Sequence, residues 1–228
     1  MKNFLAIVLL ASLVFTTSNV LAAKPAPSTG PKIVALDAGH GGTETGAVNQ
    51  TYGVQEKDLN LAVVYKLREL LEASGYKVVL TREGDETLSS RKSRVDYAIE
   101  KCKQIYGRKC DILVSVHHNG SSNSGHDGTL VIYNEKQDKP LATALHNVLV
   151  PLTGNDEGYL NGGYGMTVYG HLVSALTEAY YITDDAEANL YLQGTPFATP
   201  SGYQVLIGDR VLQEAQAQLA GINNYFNK

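Results

Sequence analysis

Hydrophobic positions along the chain change their period repeatedly, and the alternation predicts an α/β fold. Ile33-Val34-Ala35-Leu36 is a short unbroken apolar run leading to a glycine turn, the pattern of a buried strand. Leu59, Ala62, Val63, Leu67, Leu70 and Leu71 then recur at helical spacing. Gly75 stops that helix, and residues 77–81 read as a second strand. A helix over about 88–104 leads to an apolar strand at 112–117. Residues 129–133 follow as strand, 139–150 as helix and 172–182 as strand, and 205–226 contains a closing amphipathic helix. This order predicts one three-layer α/β/α domain: a mostly parallel central sheet with helices on both faces. Such sheets place their sites beyond the carboxyl ends of the strands.

The amino terminus does not fit that pattern. Lys2 is followed by an apolar run, 4–15, broken only by Ser12, and then by Val20-Leu21-Ala22-Ala23. That is the layout of an export signal over residues 1–23, with cleavage after Ala22 or Ala23. The run is shorter than the ~20 apolar residues of a membrane span, which disfavours a retained anchor. Residues 24–31 (Lys-Pro-Ala-Pro-Ser-Thr-Gly-Pro) read as a short extended leader, leaving 32–228 as one domain with a full core. No later stretch is apolar enough to span a bilayer, so no membrane span is expected once the signal is removed. The expected compartment is therefore outside the cytoplasm, periplasmic or extracellular.

Two further features follow from that compartment and from charge. Cys102 and Cys110, eight residues apart, are expected to close a small disulfide loop, with two unpaired thiols as the alternative. The net charge of −4 becomes −5 when Lys2 is removed, and no basic block argues for a nucleic-acid partner.

Three candidate metal ligands fall at the expected sheet edge. His40 follows the first strand in Asp37-Ala38-Gly39-His40-Gly41-Gly42, where glycines permit a sharp turn. Glu56 opens the first long helix, where a carboxylate is also favoured by the helix N-terminus alone. His117 ends the third strand, and His118 competes with it because strand side chains alternate between faces. Glu44 similarly competes with Glu56. Two imidazoles and one carboxylate, with a fourth position open to water, form a catalytic zinc arrangement. Glu178 lies near the end of an apolar strand, where a carboxylate needs a partner or a task. It could serve as general base, or it could be a solvated strand-end residue.

Taken in order, these segments resemble the catalytic domain of zinc-dependent N-acetylmuramoyl-L-alanine amidases. The resemblance rests on Asp37 to Gly42, Gly46-Ala47, Glu56 to Leu61, Thr81-Arg82, Arg94 with Ala98, Asp111 to Asn119, and Glu178. It implies that Zn2+ binds at His40, Glu56 and His117, choosing His117 over His118 and Glu56 over Glu44. It also implies that Glu178 is the catalytic acid/base and that the substrate is peptidoglycan. The bond cut would be the amide joining N-acetylmuramic acid to the L-alanine of the stem peptide. A zinc peptidase or amidohydrolase acting on another amide is the rival enzyme. A zinc-bearing wall-binding module is the non-enzymatic rival.

The chain departs from the family pattern after Glu178, where Ala179-Tyr180-Tyr181 replaces a Gly-Phe, so a bulkier substrate wall is expected. The segment between His117 and Glu178 is compact, with no obvious room for the autoinhibitory helical insert of some members. With no wall-binding repeat visible, targeting would come from the catalytic domain or from a protein partner such as an activator. Tyrosine is abundant, 14 residues against no tryptophan. Tyr159, Tyr164 and Tyr169, in a glycine-rich stretch, are candidate substrate contacts.

Overall fold

The computed structural model describes residues 30–162 and 165–227. The expected export signal, most of the leader and Tyr164 lie outside the described residues.

Six strands form one sheet. β1 (Ile33–Ala38) is flanked by β2 (Lys77–Leu80) and β3 (Ile112–Asn119), and beyond β3 lie β6 (Ser174–Tyr181), β4 (Thr129–Tyr133) and edge strand β5 (Asp156–Asn161). The four strands β2, β1, β3 and β6 run parallel, as expected of apolar runs buried on both faces. β4 runs antiparallel to β6, and β5 follows β4. No hydrophobic periodicity marks β5, because Asp-Glu-Gly-Tyr-Leu-Asn is polar and lies exposed along the edge.

Helices cover both faces. On one side α1 (Glu56–Ala73), α3 (Lys139–Thr153) and α5 (Asp209–Phe226) share a core with Val34, Leu36, Ile112 and Val114. On the other, α2 (Arg91–Tyr106) packs Val95, Ala98 and Ile99 against Ile33, Ala35 and Leu113. A short α4 (Asp185–Leu192) and a two-stranded hairpin, β7 (Thr195–Ala198) with β8 (Gln204–Ile207), complete the described chain. Among the described residues no helix is long and apolar enough to cross a membrane.

Two helix starts differ from the periodicity. α1 begins three residues before Leu59, which puts Glu56 in its first turn. α2 begins at Arg91, because Ser90 caps it: the Ser90 hydroxyl accepts from the Ser93 amide at 3.1 Å, and Ser93 reciprocates at 3.0 Å. Residues 88–90 are thereby left as loop. A disulfide joins Cys102 to Cys110 with the Cα atoms 5.5 Å apart, tying the end of α2 to the approach to β3.

Candidate active site

The loop after β1 is held by its own carbonyls. His40 adopts φ 61°, a left-handed conformation that costs a non-glycine residue about 1–3 kcal/mol unless its surroundings impose it. Two buried guanidinium groups impose it. Arg82 donates to Ala38 O at 2.8 Å and Gly39 O at 3.0 Å, and it also reaches Lys57 O at 2.7 Å and Gly84 O at 2.7 Å. Arg94 donates to Ala38 O at 2.9 Å and to the His40 carbonyl. Burial, with Arg94 alongside, lowers the Arg82 pKa to about 10, so it stays charged at neutral pH.

Arg94 also pairs with the buried Asp37 carboxylate at 2.9 Å, which accepts from Thr81 at 2.5 Å and Ser115 at 2.7 Å. Burial alone would raise the Asp37 pKa. The Arg94 charge and the two hydroxyl donors outweigh it and hold the carboxyl below its ordinary value. One charged cluster thus fastens β1, β2, β3 and α2 directly beneath the loop.

Above that cluster His40, Glu56 and His117 converge. Their candidate ligand atoms all lie within 4.8 Å of one another. The Glu56 carboxylate bridges the histidines, 3.1 Å from His40 Nε2 and 3.0 Å from His117 Nδ1. Backbone groups orient it: Ala47 N–H donates to Oε2 at 2.9 Å and His118 N–H to Oε1 at 3.2 Å. Burial favours the neutral acid here, but hydrogen bonds from His117 and His40 win and hold the Glu56 pKa well below normal.

The cluster has the shape and chemistry of a cation site. A Cβ at Gly39 would lie 2.2 Å from the His117 ring, and one at Gly46 would lie 2.3 Å from Glu56 Oε2. Both glycines make room for side chains of the cluster. His40 Nδ1 is buried with no hydrogen-bond partner, the nearest acid being Glu44 Oε1 at 3.8 Å. Such an orphaned nitrogen is costly unless something else uses the site.

Glu178 completes the group. It pairs in register with His117 across β3 and β6, and its Oε2 is buried without a hydrogen-bond partner. Burial pushes its pKa well above the usual carboxylate range, and the nearby Glu56 charge adds to the effect. All four residues line one cleft of about 600 Å³. The 88–90 loop and Arg91 at the start of α2 line one part of it, and Met166, Tyr169 and Leu176 line another.

The candidates left open by the sequence now separate. His118 is buried beneath the cleft, 2.7 Å from Asn60 Oδ1 and 2.8 Å from Glu214 Oε2. Glu44 stays at the rim, exposed. The bulky wall expected after Glu178 does not form. Tyr180 is fully buried against His118 and Arg210, and Tyr181 turns to Glu157 at 2.9 Å, so neither lines the cleft. Tyr169 reaches the cleft, whereas Tyr159 stacks on His146 elsewhere. Sequence reasoning missed Glu214 and Gln218, whose only signal is a polar pair on the buried stripe of α5.

Comparisons with known proteins converge on one family. A family model described as N-acetylmuramoyl-L-alanine amidase matches residues 34–195. The germination-specific N-acetylmuramoyl-L-alanine amidase of Bacillus subtilis (strain 168) is 30% identical over 172 residues, which covers 70% of each chain. The catalytic domain of CwlV, an N-acetylmuramoyl-L-alanine amidase from Bacillus (Paenibacillus) polymyxa var. colistinus, superposes with a TM-score of 0.70. It is 30% identical, over 86% of this chain and 98% of that one. The CwlD amidase of Clostridioides difficile, solved in complex with the GerS lipoprotein, gives a TM-score of 0.67. It is 28% identical, over 86% of this chain and 98% of that one.

Proposed function

This chain belongs to the N-acetylmuramoyl-L-alanine amidase family, and we propose that it cuts peptidoglycan with His40, Glu56 and His117 as zinc ligands and Glu178 as general base. The carrying observation is the convergence of the three ligand atoms within 4.8 Å, with Glu178 in register beside His117. The donor set, two imidazoles and a carboxylate, suits zinc in an open catalytic site. Zinc held there would polarise the scissile carbonyl and make water nucleophilic near neutral pH.

The remaining work falls to the chain. Glu178 accepts a proton as water adds to the lactyl carbonyl of N-acetylmuramic acid, and returns it to the departing L-alanine nitrogen. Its burial favours holding that proton, while a cation among the neighbouring ligands would draw its pKa back down. Arg82 and Arg94 keep His40 in place through backbone carbonyls.

In this reading residues 1–23 direct export, 24–31 form a leader, and 32–228 make the catalytic domain acting on the wall outside the cytoplasm. Targeting rests on that domain or on a protein partner, of which the GerS complex of CwlD is an example in a relative. Digestion of purified peptidoglycan tests the proposal. Muramic acids carrying a free lactyl carboxyl group in place of the peptide, and stem peptides with free L-alanine amino termini, are expected by mass spectrometry, and a chelator should abolish them. Cleavage inside the stem peptide instead would assign the chain to the rival peptidase chemistry.

A further inference from the structure

The buried stripe of α5 carries a polar interruption that packing does not explain. Val211, Ala215 and Ile222 face the sheet as expected of an amphipathic helix, but Glu214 and Gln218, one turn apart, share that face and are completely buried. A carboxylate in that position is costly unless its hydrogen bonds are satisfied. Both residues lie beyond the family match, which ends at residue 195.

Their bonds lead to the ligand cluster. Gln218 Nε2 donates to Glu214 Oε1 at 2.8 Å, and Glu214 Oε2 meets His118 Nε2 at 2.8 Å. His118 Nδ1 meets Asn60 Oδ1 at 2.7 Å. Asn60 Nδ2 donates to Glu56 Oε1 and to Gly39 O, both at 3.2 Å. Each member of this line is buried. Because Asn60 Oδ1 can only accept, His118 Nδ1 must carry the hydrogen.

The physical consequence concerns the Asn60 amide. Rotated by half a turn, it would set its oxygen against the Glu56 carboxylate, acceptor against acceptor in a dry interior. His118, together with the Gly39 carbonyl, enforces the correct orientation, and it is the shorter contact of the two; the partner that fixes the His118 ring is Glu214. We infer that Glu214 and His118 are positioning residues for Glu56, acting through the Asn60 amide to hold its carboxylate in the geometry that binds the metal. The inference rests on the reading of Glu56 as a ligand. Partners one step removed from a metal typically change affinity 10–100-fold when lost.

The test is zinc alone, titrated into the metal-stripped purified chain against a chromogenic chelator, with the cobalt(II) visible spectrum and melting temperature on the same samples. Glu214→Leu, which has no polar atom to offer His118, should weaken zinc binding at least tenfold and shift the cobalt bands. Glu214→Gln should stay within about threefold, since its amide can donate to or accept from His118 Nε2. His118→Leu, which withdraws the donor from Asn60, should also lose at least tenfold, and it decides the matter if Glu214→Leu does not fold. Glu56→Ala serves as the reference for a lost ligand. A folded Glu214→Leu or His118→Leu that melts lower yet binds zinc within threefold of the parent, while Glu56→Ala binds weakly, overturns the inference alone. Unchanged zinc affinity in Glu56→Ala overturns the ligand assignment and the inference with it.

Discussion

His117 and Glu178 stand at paired positions on the neighbouring parallel strands β3 and β6. Such strands lie about 4.8 Å apart, so paired side chains leave the sheet on the same face beside each other. Their surroundings differ sharply. His117 is engaged by Glu56 at 3.0 Å, whereas Glu178 Oε2 has no hydrogen-bond partner. One residue is tied into the cluster of His40, Glu56 and His117, and its neighbour keeps a buried carboxylate oxygen without a hydrogen bond, which suits the base role proposed for it.

That difference predicts the behaviour of Glu178→Gln. The variant should keep zinc, because Glu178 is not assigned as a ligand, but it lacks the proton acceptor. A positioned base contributes ~10²–10⁴-fold, so peptidoglycan hydrolysis should fall by at least a hundredfold. Zinc content, melting temperature and hydrolysis measured on one preparation check this. A folded, zinc-loaded and fully active variant would move the role elsewhere, with Glu44 at the cleft rim the first place to look.

Gly39→Ala probes the cradle for His117. Gly39 is not among the positive-φ glycines, so alanine is allowed by its backbone. The added methyl carbon would nevertheless lie 2.2 Å from His117 Cε1. The ring must move away, and zinc affinity is expected to drop by tenfold or more while the β1–β3 pairing survives. Chelator competition and a circular dichroism spectrum separate these effects. Parent-like zinc affinity in the folded variant would show that the His117 ring position is not critical to the site.

The convergence of His40, Glu56 and His117 was readable because each of them marks the end of an element. Glycines at 39, 41 and 42 announce the turn at His40, and the helical spacing from Leu59 places Glu56 near a helix start. Strand alternation alone could not choose between His117 and His118. What separates them is the bond from His118 to Glu214, 96 residues later, and no local pattern encodes that. Tyr180 and Tyr181 misled for the same reason: bulk after the Glu178 strand suggests a wall, but distant residues place them, Arg210 of α5 covering Tyr180 and Glu157 of β5 holding Tyr181. The exposed strand β5 was invisible because an edge strand needs no apolar face of its own.

The last prediction concerns Asp37, beneath the His40 loop. Its carboxylate is fully buried and accepts from Arg94, Thr81 and Ser115. Asp37→Asn leaves Arg94 without its counter-charge, and breaking one side of a buried pair costs about 3–5 kcal/mol. The effect should depend on pH in a defined direction. The folded-state pKa of Asp37 is held below its ordinary value of 3.8, so the ionised group contributes stability above that value. That contribution is lost as pH falls from about 3.8 through the depressed folded-state pKa. Denaturant unfolding of the metal-stripped parent and variant should therefore show a constant gap from pH 7 to about pH 5, narrowing at lower pH. Glu56 also titrates low, but it is present in both proteins, so to a first approximation it cancels from the difference. A gap that stays the same down to pH 3 would mean that Asp37 is not held as a carboxylate by Arg94. The anchoring of the His40 loop would then rest on the arginine–carbonyl bonds alone.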